Sequence, residues 1–320
     1  MGIIGASIAP KLALQLHIMR SSDLESGIKA IASDRIQGAS ELARQGLRLC
    51  ADWCRSAPPE NPRIFKKNLL ELGDRIARCR PSMAPIHNMA WSWRDRVAPL
   101  RELDTDDLRR EAAEIAMGLI RASEQATREA AKQAQNLISS HQTLFTHSFS
   151  STVLETFKLG RLRNVQAIIS EGRPQCEGYK LAQQLSAWSI PVTLITDAQS
   201  GYFVGKADAV LVGADSLLPD GSVVNKAGTY LLALAAQAQR VPFYVCCESF
   251  KQRRDTTSPT ELEEMEPEAL GAPSIEGVQI RNIYFDVTPS YLVTAWIDEH
   301  GIRFRETPPQ PSAFRASGRA

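Results

Sequence analysis

Neither positive nor negative charge dominates this sequence of 320 residues. Its 37 lysine and arginine residues nearly balance its 36 aspartate and glutamate residues, which gives a formal net charge of +1 at pH 7. Proteins that bind nucleic acid or anionic membranes over a wide surface usually carry a clear positive excess. We therefore expect no membrane partner and no direct nucleic-acid partner.

The cysteines lack the spacing of a zinc site. The six thiols are those of Cys50, Cys54, Cys79, Cys176, Cys246 and Cys247. Their spacings match no metal-binding pattern, and a disulfide framework is not expected in a chain of this length without an export signal. We therefore expect a reducing cytoplasm, no metal and no cofactor. Cys50 and Cys54 lie one helical turn apart and are expected to pack in a core.

The sequence also lacks a recognisable targeting segment. No basic residue precedes the apolar part of the N-terminal stretch, and Lys11 and His17 interrupt it. Neither a signal peptide nor a membrane span is expected from such a pattern. At the other end, residues 306–320 are polar and rich in proline, so we expect a disordered tail there.

Helical patterns fill residues 1–140, where we expect a helical N-terminal domain. Helices are predicted from Ser22 or Asp23 to Ser33, from Ile36 to Arg55, from about Ile64 to Arg80, and from a capping Thr105 to about Ser139. In the longest of these, apolar side chains recur at helical spacing and leave Arg, Glu and Gln outside. The Trp-rich segment around residues 91–93 is left without an assigned element.

From Gln142 onward, short apolar segments alternate with helical stretches. Strands are predicted over residues 143–145, 165–169, 192–195, 209–212 and 243–245. This spacing is typical of βαβ units in a parallel sheet, so residues 141–305 are expected to form an α/β domain. A further strand is predicted from Ile280 to Phe285. Thr288-Pro289 resembles a helix start, which predicts a helix from Tyr291 to Glu299.

The strongest functional signal is the segment from Asp208 to Tyr230. Its apolar strand ends at Asp215, and open α/β sheets carry their sites at the carboxyl ends of strands. A turn over residues 219–221 follows, and Asn225 and Lys226 then come just before the start of a glycine-flanked helix. An amide, an ammonium group and helix-start N–H groups near one acid predict an anion-binding pocket.

Six consecutive stretches resemble one known family. They are FTHSFSSTVL, ISEGRPQCEGYKLA, IPVTLITDAQSGYF, VLVGADSLLPDGSVVNKAGTY, PFYVCCESFK and FDVTPSYLVTAWIDEHGI. They are similar to signatures of the initiation factor 2B alpha/beta/delta family, which includes regulatory subunits of a translation factor and two groups of sugar-phosphate isomerases. The resemblance covers about residues 140–303, and DRIQGASELARQGL more faintly resembles the family's phosphate-binding arm.

The resemblance implies a fold, a site and an assembly. The fold is a helical domain followed by a Rossmann-like parallel-sheet domain, usually in a dimer or larger assembly of identical or related subunits. A pocket between the domains would hold a phosphorylated sugar or nucleotide. By matching position, the groups that face the ligand from this chain are Gln37, Gly38, Ala39, Arg173, Gly178, Asp215, Asn225, Lys226 and Lys251.

Three positions depart from the isomerase pattern. Ser148 stands where the isomerases carry a cysteine, whose free pKa of about 8.5 allows a thiolate to transfer protons near neutral pH. The isomerase arm has Arg-Gly-Ala where this chain has Gln37-Gly38-Ala39, and Arg-Pro aligns with Asn61-Pro62. Both of these changes remove a cation suited to two-point phosphate binding. Arg35 or Arg63 could replace those cations. Cys176 is expected to be an ordinary loop cysteine, with a substitute thiol as the alternative.

Two hypotheses follow from these departures. In the first, the protein is a non-catalytic, regulatory subunit that binds a phosphorylated ligand and supports guanine nucleotide exchange where its cell has the partner factor. In the second, it is an aldose–ketose isomerase of a phosphorylated ribose. Asp215 would then transfer protons and Ser148 would position the substrate. The missing thiol favours the first hypothesis.

Overall fold

The structure is a computed structural model that describes residues 21–56, 61–100, 104–253 and 262–306. Its helices are Ser21–Ser33 (α1), Ala39–Ser56 (α2), Pro62–Arg78 (α3), Ala84–Val97 (α4), Thr105–Ala134 (α5), Ser151–Gly160 (α6), Glu177–Ala187 (α7), Ser200–Phe203 (α8) and Thr229–Ala238 (α9). The predicted tail lies outside the described residues from residue 307 onward.

The start of α2 and the cap of α5 differ from the predictions for local reasons, although α5 begins at Thr105 as predicted. Helix α2 begins at Ala39 rather than Ile36 because Asp34 Oδ1 accepts hydrogen bonds from the N–H groups of Ile36 and Gln37, at 2.7 and 2.8 Å, and holds them in a turn. Helix α5 is capped by Asp104, whose side chain accepts from Asp107 N, so the prediction of Thr105 as the cap was wrong. An aspartate is the stronger cap of the two.

Two further differences concern helix extent. Helix α4 covers the Trp-rich segment, for which the sequence predicts no element. Pro85 lies in the first turn of this helix, where a proline costs no hydrogen bond. Helix α5 ends at Ala134 rather than Ser139. The Arg163 guanidinium donates to the carbonyls of Gln135 and Ile138, which stabilises the turn that replaces the last predicted helical turn.

The strands form two sheets. Their bounds are Thr143–His147 (β1), Gln166–Ser170 (β2), Val192–Ile195 (β3), Ala209–Val212 (β4), Ser216–Leu217 (β5), Val223–Lys226 (β6), Phe243–Cys246 (β7), Phe285–Thr288 (β8), Ala295–Asp298 (β9) and Gly301–Phe304 (β10). In the described part of the chain, the larger sheet has the order β10-β9-β7-β4-β1-β2-β3 and is parallel except for β10. This confirms the predicted class, helices followed by a largely parallel α/β sheet.

The larger sheet reverses its winding between β1 and β4. The chain proceeds from β1 outward to β3, then returns to place β4 on the other side of β1. Such a reversal leaves a crevice beyond the carboxyl ends of the two strands, where ligands bind in open α/β folds. The smaller sheet, β5-β6-β8, is antiparallel and stands beside this crevice.

The C-terminal predictions were wrong in two places. The strand expected from Ile280 to Phe285 begins only at Phe285, where β8 pairs with β6. The helix expected from Tyr291 to Glu299 is absent: Ser290–Leu292 form one 3-10 turn, and β9 then adds to the large sheet beside β7. Ala295, Trp296 and Ile297 are buried in that sheet, and this burial outweighs the helix-start signal.

Polar contacts join the helical part to the sheet. The Asn88 amide donates to the carbonyls of Phe250 and Gln252, at 2.7 and 2.9 Å. The Ser216 hydroxyl donates to Ser82 O at 2.8 Å and accepts from Ala84 N. These buried bonds fix the helical part against the rim of the crevice. The division into domains at residues 140 and 141 stays a prediction.

The core of the helical part contains the two thiols that were expected there. Cys50 and Cys54 are both fully buried among helices α1 to α5, which confirms the prediction of a packed pair. Burial raises the pKa of Cys54 to about 12, so this thiol stays protonated. Within the four described ranges, no helix is long and apolar enough to cross a membrane.

Candidate functional site

A two-lobed cleft occupies the crevice at the β1 and β4 strand ends. The serine lobe holds about 370 Å³ of empty space, open solvent included, and is lined by Gly38, Ala39, Ser40, His147, Ser148, Phe149, Ser150, Ser151, Gly213, Ala214, Asp215, Asn225 and Lys251. The Glu177 lobe holds about 320 Å³ and is lined by Ile36, Gln37, Gly38, Met83, Ser148, Phe149, Glu177, Asp215, Lys226, Tyr284 and Phe285. Because both lobes share Gly38, Ser148, Phe149 and Asp215, they are adjacent.

Two helix starts and a lysine surround the serine lobe. Helix α6 begins at Ser151 and helix α2 begins at Ala39, and both residues line the lobe. The first N–H groups of a helix have no partner within it, so they attract anions. Lys251 is buried beside them, and its ammonium group donates to Ala214 O. The serine lobe therefore has the chemistry of a phosphate site.

The end of β4 and the start of α6 lie very close together at the floor of this lobe. A Cβ atom added to Gly213 would lie only 2.4 Å from Ser150 Oγ. No side chain fits at that distance, so the glycine lets the end of β4 pack against the start of α6. This contact places Asp215, two residues further on, at the floor of both lobes.

Asp215 is the acid of the cleft. Its own N–H donates to Val224 O at 2.9 Å, while no group in the described ranges donates a hydrogen bond to its carboxylate. Burial raises the pKa of this carboxyl, although the nearby Lys251 and Arg80 charges oppose the shift. A carboxyl with a raised pKa can hold and release a proton nearer to neutral pH than a free aspartate can.

The ring of the neighbouring His147 does not serve Ser148 as a base. Ser148 follows β1 with a positive φ of 65°, and His147 precedes it in the strand. The His147 ring contacts Ser170 Oγ through Nδ1 at 2.7 Å and Ala227 O through Nε2 at 2.9 Å. Because a carbonyl only accepts, the partners assign the proton to Nε2, and Nδ1 accepts from Ser170. Burial lowers the pKa of this ring, so it is neutral and structural.

A buried charge cluster stands at the far wall of the Glu177 lobe. Lys226 Nζ lies 2.9 Å from Glu177 Oε1 and 3.7 Å from the centre of the Tyr284 ring. The Tyr284 hydroxyl donates to the same Glu177 oxygen at 2.6 Å. The second carboxylate oxygen, Glu177 Oε2, is buried without a hydrogen-bond partner in the described part of the protein. The sequence pattern indicated Lys226 but neither Glu177 nor Tyr284.

The loop before α2 is held by two residues that are distant in the sequence. Arg80 Nη1 donates to Asp34 O at 2.6 Å, and the Tyr284 hydroxyl also lies 3.2 Å from Arg35 O. These bonds hold the loop so that Gln37 and Gly38 lie at the mouth of the cleft. No local pattern indicates such contacts, because their partners are distant in the sequence.

The structure places most of the predicted site residues in the cleft. Those that line it are Gln37, Gly38, Ala39, Ser148, Asp215, Asn225, Lys226 and Lys251. Their roles stay predictions. The suggested substitutes, Arg35, Arg63 and Cys176, line neither lobe, and the Asn61 side chain caps α3 instead.

Arg173 and Gly178 lie outside the cleft. The Arg173 side chain is exposed and donates to Leu270 O at 2.8 Å. A Cβ atom at Gly178 would lie 2.3 Å from Ser170 O, so this glycine allows α7 to pack on the end of β2. In the part of the chain that the structure describes, no group of three or more His, Cys, Asp or Glu residues could hold a metal ion.

Comparison with known proteins gives a consistent result. The sequence pattern of the initiation factor 2 subunit family matches residues 35–303. A translation initiation factor eIF-2B subunit 2-like protein of Pyrococcus horikoshii is 36% identical over 277 residues, which span 86% of this chain and 94% of that protein. A ribose 1,5-bisphosphate isomerase of Methanocaldococcus jannaschii is 30% identical over 286 residues, which span 88% and 90% of the two chains.

A solved structure shares the fold. The crystal structure of the Pyrococcus horikoshii OT3 translation initiation factor eIF-2B matches with a TM-score of 0.77 and 34% sequence identity, covering 91% of this chain and 98% of that chain. The family match spans both the helical part and the sheet, as the sequence resemblance predicted. This protein belongs to the initiation factor 2 subunit family.

Proposed function

We propose that this protein binds a phosphorylated sugar or nucleotide in the two-lobed cleft and acts as a non-catalytic, regulatory subunit in the cytoplasm. The observation that carries the proposal is the serine lobe, where the starts of α2 and α6 meet the buried Lys251. Backbone N–H groups and an ammonium group together suit a phosphate. Serine hydroxyls in the same lobe add further donors.

The chemistry around Ser148 supports a binding role. A serine hydroxyl needs an adjacent base to transfer a proton near neutral pH. Both ring nitrogens of His147 are already engaged, by Ser170 and Ala227. Ser148 therefore binds and orients the ligand without the reactivity of the cysteine found in the isomerases.

The names of the relatives support a regulatory role. Similar proteins include one named as a translation initiation factor eIF-2B subunit 2-like protein. By this analogy the chain would assemble with identical or related subunits. It would support guanine nucleotide exchange in a cell that has the partner factor.

One observation favours a second candidate function, a sugar-phosphate isomerase. Asp215 has a carboxylate free of protein donors in the described ranges and a raised pKa, which suits a group that both takes and returns a proton. A relative with 30% identity is named ribose 1,5-bisphosphate isomerase. In this case Asp215 transfers the proton and Ser148 positions the sugar.

Phosphorus NMR separates the two functions in one series of spectra. The purified protein is mixed with ribose 1,5-bisphosphate, with methylthioribose 1-phosphate and with nucleoside monophosphates. The binding proposal predicts broadened or shifted ligand resonances and no product. A product resonance that grows with time, and that is lost in Asp215→Asn, would establish the isomerase instead. Ligand resonances unchanged by the protein would contradict both functions.

The variant Ser148→Cys adds a sharper test. It restores the thiol that the resemblance places at this position in the isomerases. New isomerase activity in this variant, with none in the natural protein, would support an inherited binding pocket that lost its chemistry. The matched control is Ser151→Cys, which introduces a thiol into the same lobe at the start of α6.

A further inference from the structure

The cleft is electrically asymmetric. The serine lobe combines Lys251 with two helix starts, whereas the cation of the Glu177 lobe, Lys226, is already paired with Glu177. The Lys226 side chain is 3% exposed and that of Glu177 is 10% exposed, so water screens this pair little. Asp215 lines both lobes, so its carboxylate adds the same negative charge to each, and only the Glu177 lobe also contains Glu177. This lobe therefore has no net positive charge to offer.

Such a lobe is unfavourable for a phosphate. A phosphate monoester carries about −1.5 to −2 charges at pH 7. Placed in the Glu177 lobe, it would meet two carboxylates and a single lysine whose charge Glu177 already balances. A buried charge without a partner is costly, so a second phosphate on the ligand would weaken binding here.

A hydroxyl group is favourable at the same place. Glu177 Oε2 is buried and accepts no hydrogen bond from the described residues, although a carboxylate oxygen can accept two. The position of a Cβ atom on Gly172 would be 3.2 Å from this oxygen and 3.3 Å from Ser148 Cα. The unpartnered oxygen therefore lies close to the Ser148 end of β1, on the boundary that both lobes share.

We infer that Glu177 determines ligand specificity: its free carboxylate oxygen accepts a hydrogen bond from a sugar hydroxyl, and its charge excludes a second phosphate. The ligand class is therefore a monophosphorylated sugar, with its phosphate in the serine lobe and its hydroxyl-bearing end in the Glu177 lobe. This inference rests on the proposed function, and it adds which end of the ligand each lobe receives.

Calorimetric titration of the natural protein tests the inference directly. The ligands are ribose 1-phosphate, ribose 5-phosphate, ribose 1,5-bisphosphate and inorganic phosphate. We expect at least one monophosphate to bind about tenfold or more tightly than the bisphosphate. If the bisphosphate binds at least as tightly as the tighter-binding monophosphate, the inference is overturned but the proposed function stands. Binding of none of the four ligands overturns the inference, and the proposed function is overturned as well if nucleoside monophosphates and other sugar phosphates also fail to bind.

The variant Glu177→Gln separates charge from shape. It removes the negative charge and frees Lys226, so the affinity for the bisphosphate should rise about tenfold. The affinity for the monophosphate should fall severalfold, because a hydrogen bond to a charged acceptor becomes one to a neutral acceptor. Inorganic phosphate, which carries no sugar hydroxyl, should change little. Equal changes for the bisphosphate and the monophosphate would overturn the role of Glu177.

The control variant is Glu111→Gln. Glu111 is exposed on α5 and lines neither lobe, so this change removes the same charge without touching the cleft. The ratio of the two affinities should stay at its natural value. If Glu177→Gln fails to fold because Lys226 loses its partner, the affinity ratio measured on the natural protein still decides the question.

Discussion

Arg80 and Glu263 form a two-point ion pair across 183 positions of the sequence. The Nε–Oε1 distance is 2.9 Å and the Nη2–Oε2 distance is 2.7 Å. The Arg80 side chain is 2% exposed and that of Glu263 is 16% exposed. Because Arg80 also donates to Asp34 O, the pair connects the segment after β7 to the loop that brings Gln37 and Gly38 to the cleft.

This pair should be essential for stability. Removing one partner of a buried ion pair leaves the other charge without compensation, at a cost of about 3–5 kcal/mol. We therefore expect Glu263→Gln to lower the free energy of unfolding by about 3 kcal/mol in urea denaturation.

An exposed pair supplies the control for that measurement. Lys67 and Glu71 lie one turn apart on α3 at 3.6 Å, with side chains 75% and 58% exposed. Glu71→Gln should change the free energy of unfolding by no more than about 0.5 kcal/mol. Equal effects of the two substitutions would contradict a buried, structural role for the Arg80 pair.

His147 should make the stability of the protein depend on pH. Burial lowers the pKa of this ring below its usual value of 6.5 in the folded state. Below that pH the unfolded chain binds a proton that the folded protein does not, so the free energy of unfolding falls as the pH falls. Urea unfolding at about pH 7.5 and about pH 5.5 should show this loss in the natural protein.

The variant His147→Gln should lose less stability over the same interval. The pKa of Asp286 is raised by burial to about 6, which acts in the opposite direction. That contribution is common to both proteins and cancels in their difference. Equal pH dependence of the two proteins would show that His147 does not remain neutral when folded.

Gly178 should act through packing and not through ligand contact. An added Cβ atom would meet the backbone oxygens of Ser170 and Glu171 at 2.3 and 2.9 Å, so α7 would have to move. We expect Gly178→Ala to destabilise the protein by about 1–3 kcal/mol. The Kd for inorganic phosphate, whose binding does not depend on Glu177 at the start of α7, should be unchanged at a temperature where the variant is folded.

The comparison variant is Gly201→Ala, on the exposed face of α8. A Cβ atom at that position would meet nothing within 4 Å. Its free energy of unfolding should stay the same or rise by up to about 1 kcal/mol, because alanine favours helices more than glycine does. A Gly178→Ala protein as stable as this control would refute the packing role.

The positions of the parallel strands, and so the sheet edge that carries the site, could be predicted because local sequence patterns indicate such strands. The apolar segments at 192–195 and 209–212 match β3 and β4 residue for residue, and a polar side chain follows each within three residues. The parallel order then brought Ser148 and Asp215 into one cleft, as expected. For β4, which is buried along its whole length, neighbouring residues encode both the burial of the strand and its end, whereas β3 at the sheet edge is partly exposed.

The remaining parts depend on contacts that no local pattern contains. Tyr284 and Glu177 are 107 positions apart, and Arg80 contacts a glutamate 183 positions away. The prediction of a helix over residues 291–299 was wrong for the same reason. Its helix-start signal is local, whereas its place as β9 beside β7 depends on the burial of Trp296 against distant residues.

Gly38 provides the most direct test of phosphate binding in the cleft. It lines both lobes, directly precedes α2, and a Cβ atom added there would meet nothing within 4 Å. Gly38→Asp should fold normally because aspartate is a good residue to begin a helix, yet it places a negative charge at the helix start that faces the ligand. The control variant is Gly38→Ala, which adds a Cβ atom at the same position but no charge.

The measurement is calorimetric titration of ribose 5-phosphate into the natural protein and these two variants. We predict that the natural protein and Gly38→Ala bind with similar Kd values, and that Gly38→Asp binds at least about tenfold more weakly. Equal binding by Gly38→Asp, or no binding by the natural protein to this or any other phosphorylated sugar or nucleotide, would contradict a phosphate site in the cleft.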